Sequence, residues 1–137
     1  MQKVLLDSNI ISYFLRGEPS VITELEKYQE SFEQITFSIL TYYEIVSGLK
    51  HRDSKKILTI FKELASESEI LAFDQDTASI SSNIYCDLRQ RGLLVPPTDI
   101  FIGATALQHD LNLVTANIKH FRIMKNLKYL NWMTSSY

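Results

Sequence analysis

Asp7, Glu44, Asp99 and Asn117 are the residues of this sequence whose types and positions could do chemistry. Asp7 closes the apolar run Val4-Leu5-Leu6, which reads as a buried strand of a parallel sheet. Glu44 falls in the first turn or so of a helix that follows a second strand. Asp99 opens a helix that is apolar on nearly every side, and Asn117 comes just after a further strand. In an open α/β sheet, ligands bind beyond the carboxyl ends of the strands. These four oxygen-bearing side chains therefore converge on one edge. Three carboxylates crowded together raise one another's pKa unless a cation lies between them. Hard oxygen donors with few nitrogens or sulfurs suit Mg²⁺ or Mn²⁺. Each residue also has a plainer reading: Asp7, Asp99 and Asn117 as helix caps, Glu44 as a glutamate favoured by the helix dipole.

The elements that must position them alternate along the chain. Residues 3–6 read as strand one, and residues 10–15 as a short helix stopped at Gly17. Pro19 opens a helix with Val21, Ile22, Leu25 and Tyr28 on one face, and residues 35–38 form strand two. Thr41 caps the helix that carries Glu44, which ends near Gly48 and Leu49 at a charged turn, Lys50 to Asp53. An amphipathic helix follows through Ile57, Leu58, Phe61 and Leu64, then strand three over residues 69–73. Asp74 caps a helix with Ala78, Ile84, Tyr85 and Leu88 inward, stopped at Gly92. Pro96-Pro97 leads into the central helix, with Thr98 or Asp99 as its cap and Gly103, Ala104 and Ala106 small enough for close packing. Residues 113–115 make strand four, Lys119-His120-Phe121 a turn or short helix, and residues 129–131 a last edge strand. The implied fold is a single α/β domain over residues 1–137, with a mostly parallel central sheet of four to five strands flanked by helices.

Composition narrows the function. Of 137 residues, 45% are hydrophobic and 22% charged, as in an ordinary soluble protein. The net charge of −2 supplies no global field for nucleic acid, so any such binding rests on local basic clusters. A lone cysteine, Cys86, fits a reducing cytosol. The N-terminal apolar run is too short for a signal segment, and no run approaches a membrane span. His51, His109 and His120 are too scattered for a zinc site, and neither glycine-rich nucleotide-binding pattern occurs.

Val4-Leu5-Leu6-Asp7-Ser8-Asn9, Thr41-Tyr42-Tyr43-Glu44-Ile45 with Gly48, Thr98-Asp99-Ile100-Phe101-Ile102-Gly103-Ala104, and Leu113-Val114-Thr115-Ala116-Asn117 with His120-Phe121 follow one another in that order. Together they resemble the PIN-domain nucleases, and among those the VapC-type toxins of bacterial toxin–antitoxin pairs. The resemblance implies a three-layer PIN-like fold and hydrolysis of RNA by metal-activated water. Asp7, Glu44 and Asp99 match the family's acidic metal ligands. Asn117 matches a fourth position that is Asp in some members and Asn in others. Ala116 stands where a polar or basic residue is common. Ser8 and Thr98, beside the carboxylates, then orient ligands rather than act as nucleophiles, there being no histidine–acid pair in the sequence pattern to activate them. Arg16, Lys119 and His120 are the basic residues placed to meet RNA phosphates.

The lone cysteine and the short N-terminal apolar run imply a cytoplasmic protein, and the resemblance implies a cognate antitoxin that covers the site and a homodimer within a toxin–antitoxin hetero-oligomer. The apolar faces of the Pro19 helix and of the Ile57–Leu64 helix offer a groove for a partner helix. The competing reading is a non-catalytic α/β signalling or RNA-binding module with an acidic metal pocket. A phospho-receiver or an acid-x-acid phosphatase would want a second acid near Asp7, where Asn9 stands.

Overall fold

The computed structural model describes residues 2–133. The elements are β1 (Val4–Leu6), α1 (Ser8–Leu15), α2 (Pro19–Gln29), β2 (Thr36–Ser38), α3 (Ile39–His51), α4 (Lys55–Ser66), β3 (Glu69–Leu71), α5 (Gln75–Gln90), α6 (Pro97–Gln108), β4 (Asn112–Val114), α7 (Ile118–Phe121) and β5 (Tyr129–Leu130). Every strand pairing is parallel, as the alternation of strands and helices requires. β4 lies between β1 and β5, with Leu5 opposite Leu113 and Leu113 opposite Tyr129. β2 pairs with β3, Phe37 facing Ile70.

The expected sheet of four to five strands is, among the described residues, five strands in two hydrogen-bonded ladders in place of one continuous sheet. β2 runs beside β1 without bridging it. One reason is local: the Val4 N–H donates to the buried Tyr28 hydroxyl at 3.2 Å, which takes a strand donor out of play.

Successive side chains of a strand point to opposite faces, and here they divide the interior in two. Val4, Leu6 and Val114 join the core beneath α1 to α4, with Val21, Leu25, Tyr28, Phe37 and Phe61. Leu5 and Leu113 join the core beneath α5 and α6, with Ile84, Leu88, Ile102, Ala104 and Phe121. Helix, sheet and helix thus form the three layers expected. Ile100, Ile102, Gly103, Ala104, Thr105 and Ala106 are all buried, so α6 is the central helix that its composition predicts. A Cβ on Gly103 would sit 2.5 Å from Met124 Sδ, so the missing side chain makes room for that methionine.

Several boundaries differ from expectation, each for a physical reason. Ser38, not Thr41, caps α3: its Oγ accepts from the Thr41 N–H at 3.1 Å, and Thr41 is buried inside the first turn. α3 also runs on to His51, so Lys50 and His51 occupy its last turn, where basic charge is favoured, and the turn begins at Arg52. At α6 neither Thr98 nor Asp99 caps. Pro96 holds the cap position without a side-chain bond, and Asp99 lies in the first turn. On α5 the Asp74–Thr77 capping box sets the phase, so Thr77, Ser81, Ile84 and Leu88 face inward while Ala78 and Tyr85 face out. The apolar face of α2 is spent on its own core: Val21, Leu25 and Tyr28 are buried and cannot form a partner groove. Among the described residues no helix is long and apolar enough to cross a membrane.

Candidate active site

β1 delivers Asp7 into the interior, where it is 3% exposed. The residue ends its strand by donating its N–H to the Val114 carbonyl, and its side chain caps α1 by accepting from the Ser8 N–H at 2.7 Å. Its other oxygen accepts from Thr115 Oγ1 at 2.8 Å and from Asn9 Nδ2 at 3.3 Å. These donors stabilise the anion, yet burial outweighs them. Burial, with smaller contributions from the charges of Asp99 and Glu44, pushes the Asp7 carboxyl up to about 6.

Glu44 projects from the second turn of α3 and is half-buried. The Ser8 hydroxyl donates to its Oε1, and the same hydroxyl lies 3.4 Å from Thr41 Oγ1. Burial raises the Glu44 carboxyl, the Ser8 hydrogen bond opposes the rise, and the charge of Asp99 adds to it. Asp99 in turn is held by α7: its Oδ2 lies 2.6 Å from His120 Nδ1 and 3.5 Å from Asn117 Nδ2. Asn117 Nδ2 also lies 2.8 Å from the same ring nitrogen. The four residues singled out by sequence thus stand at one end of β1 and β4, each acid steadied by a different neighbour.

Of the supporting residues expected, Ser8 and His120 touch the acids and the others do not. Thr98 is half-buried and, among the described residues, makes no side-chain hydrogen bond to them. Lys119 is exposed on α7, and Arg16 is exposed at the C-terminus of α1. His120 pairs with Asp99 across 21 residues, a contact the sequence pattern does not show, while the Ser8 hydroxyl is bonded to Glu44 and not to the histidine. Thr115 and Asn9 were not foreseen at all. Thr115 Oγ1 donates to Asp7 and accepts from the Asn117 N–H at 2.9 Å. Asn9 Oδ1 accepts from the Ala116 N–H at 3.1 Å, so Ala116 contributes through its backbone. The signal for both was positional: each lies within two residues of a predicted site residue.

The donor set has the chemistry of a hard divalent cation, because its oxygens are carboxylate and amide and the acids repel one another. The placement is not a closed cage. Among the described residues no three His, Cys, Asp or Glu side chains enclose a common point as they stand. Ser8 and His120 hold Glu44 and Asp99 in separate hydrogen bonds, which a bound cation would have to exchange for its own.

The sequence model of the PIN domain matches residues 4–126. A protein named Ribonuclease VapC1 from Methanocaldococcus jannaschii is 32% identical over 124 residues, 90% of this chain and 82% of that protein. The solved VapBC2 of Rickettsia felis, bound to a DNA fragment from its promoter, has a TM-score of 0.84 at 26% identity. It covers 96% of this chain and 99% of that one. A toxin–antitoxin complex from Klebsiella pneumoniae has a TM-score of 0.74 at 25% identity, covering 91% and 95%.

Proposed function

This chain belongs to the PIN-domain family, and from that premise we propose that it is an endoribonuclease, the toxin of a toxin–antitoxin pair, hydrolysing RNA with Mg²⁺ or Mn²⁺ at Asp7, Glu44 and Asp99. One observation carries the reading: carboxylates from three separate elements lie at one end of the sheet, near enough to feel one another's charge, and burial with that repulsion lifts Asp7 to about 6. A site built only to fold would not crowd acids there, since hydrophobic residues of similar volume would serve. A bound divalent cation supplies the positive charge that activates water and offsets charge on the phosphate. The chain itself supplies the rest. Thr115, Asn9 and the Ser8 N–H fix the Asp7 carboxylate, Ser8 aims Glu44, and His120 with Asn117 aims Asp99. Among the described residues no activated hydroxyl is needed for this scheme.

The relative named a ribonuclease supports RNA as substrate, and the solved toxin–antitoxin complex supports a cognate antitoxin. That the antitoxin restrains the enzyme, and that both act in the cytoplasm, belongs to the same proposal. A homodimer is part of the same proposal. The non-catalytic module is not favoured by any observation on the site.

Cleavage of single-stranded RNA with and without chelator tests the reading. Asp99→Asn keeps a polar side chain of nearly the same shape and should fold, while cleavage falls by roughly a hundredfold or more. Asn117→Asp should leave cleavage intact or tighten cation binding, because an acid there adds charge to a donor the amide already provides. Full activity of folded Asp99→Asn in the presence of chelator would refute the metal mechanism.

A further inference from the structure

A groove of about 390 Å³ leads away from the acids between α1, α3 and the start of α4. Its two long walls are matched rows. The α1 wall includes Ser8, Ser12 and Arg16 beside Leu15, and the α3 wall includes Glu44, Gly48 and Arg52 beside Ile45 and Leu49, the first three of each wall spaced four residues apart. Residues four apart share a helix face. Ser8 and Glu44 are hydrogen-bonded at the acid end, and Arg16 and Arg52, each two turns or about 12 Å further along its own helix, line the same groove. Ser12 and Gly48 keep the middle open.

Both arginines are free to take an anion. Among the described residues neither forms an ion pair with Asp or Glu. Arg52 folds back over the helix, its Nη1 3.5 Å from where a Gly48 Cβ would sit. The Arg16 guanidinium lies 5.0 Å from the Tyr13 ring centroid, and its Nε is 3.4 Å from the Ser12 carbonyl. That seat leaves its outer N–H groups unused, and a guanidinium pair suits a phosphate.

We propose that this groove is the track for the RNA backbone on one side of the cut, with Arg16 and Arg52 holding a phosphate that is not cleaved. The inference rests on the ribonuclease reading of the acid end. Charge decides the polarity of the groove. A polyanion is repelled at the carboxylate end until its cleaved phosphate is neutralised there, and is attracted at the arginine end from the outset. The arginines therefore set position and affinity, and the acids set chemistry. An acidic protein segment is the competing occupant, but it would not need the groove to open onto Glu44.

The test is steady-state cleavage of a short single-stranded RNA by the full chain and by Arg16→Gln, Arg52→Gln and the double variant, with thermal melting as the check on folding. The double variant should raise KM by roughly tenfold with kcat unchanged. The dependence of log kcat/KM on log salt should flatten by about one for each arginine removed. Arg→Lys variants should recover part of the loss. Replacing single phosphates near the cut by neutral methylphosphonates should weaken the wild-type protein at one linkage and leave the double variant indifferent to it. Wild-type cleavage with KM and salt slope unaltered in the variants overturns the track. So does unaltered cleavage with weakened capture of the antitoxin, which assigns the groove to the protein partner. A wild-type protein that cuts no RNA overturns the ribonuclease reading, and the track falls with it.

Discussion

Asp7 is an acid held where ionisation is disfavoured, and the consequences can be measured. Its carboxyl is pushed up to about 6 against an ordinary value of 3.8, and the first cause is burial. Asp7→Asn removes the charge while its carbonyl oxygen can still accept from the Ser8 N–H. Without divalent cation at pH 7.5 the variant should be more stable than the wild type, by about 1–3 kcal/mol. Added Mg²⁺ should shift its melting temperature far less than it shifts the wild type's. A less stable variant would mean that the hydrogen bonds from Thr115 and Asn9 outweigh the desolvation. Asp7, Glu44, Asp99 and Asn117 were legible in the sequence because each sits at a place that strand and helix patterns locate within a residue or two. The pairing of His120 with Asp99, and the support of Asp7 by Thr115, were not. They depend on the path of α7 and the end of β4, which hydrophobic pattern does not encode.

α6 carries Asp99 and is buried along most of its length, and at Gly103 it packs closely against Met124. A Cβ there meets only the Met124 side chain closely, its Sδ at 2.5 Å, with Phe121 Cδ1 further off at 3.7 Å. Methionine is flexible, so Gly103→Ala should be close to neutral: gained helix propensity of up to about 1 kcal/mol offsets the displaced sulfur. Gly103→Val adds branched bulk with no such outlet and should cost about 1–3 kcal/mol. Thermal melting of the two variants distinguishes the cases, and equal losses would show that Met124 cannot yield. The central helix was recognisable from composition because a run apolar on all sides has nowhere to go but inside. Its cap was not, since Thr98, Asp99 and the prolines all suit a helix start. The same ambiguity let Ser38 displace Thr41 on α3. The separation into two ladders was equally hidden, because strands of three residues show burial but not their hydrogen-bond partners.

On the scale of the whole molecule, the acid end and the rest of the fold respond to pH in opposite directions. Glu69, Asp74 and Asp87 are held below their usual values, first by hydrogen bonds from Lys3, Thr77 and Arg91 respectively. Their contribution is present above the ordinary carboxylate range and is lost as pH falls through it. Asp7 and Glu44 are raised, so the folded state holds their protons more tightly than the unfolded chain does. Stability from that source is complete below the ordinary carboxylate values and is lost as pH rises through about 6 for Asp7. Metal-free protein should therefore melt at its highest temperature close to the ordinary carboxylate values, at about pH 4, lose stability as pH rises to about 6, and change little from there to pH 7.5. A ligand that binds only the folded state adds stability in proportion to the logarithm of its concentration over Kd. Because cations compete with protons for these carboxylates, the melting-temperature gain from a fixed Mg²⁺ concentration should be small at pH 5 and grow through pH 6 to 7.5. The growth should shrink in Asp7→Asn, where Glu44 is the raised acid that remains. A Mg²⁺ effect of constant size from pH 5 to 7.5 would place cation binding away from these buried acids.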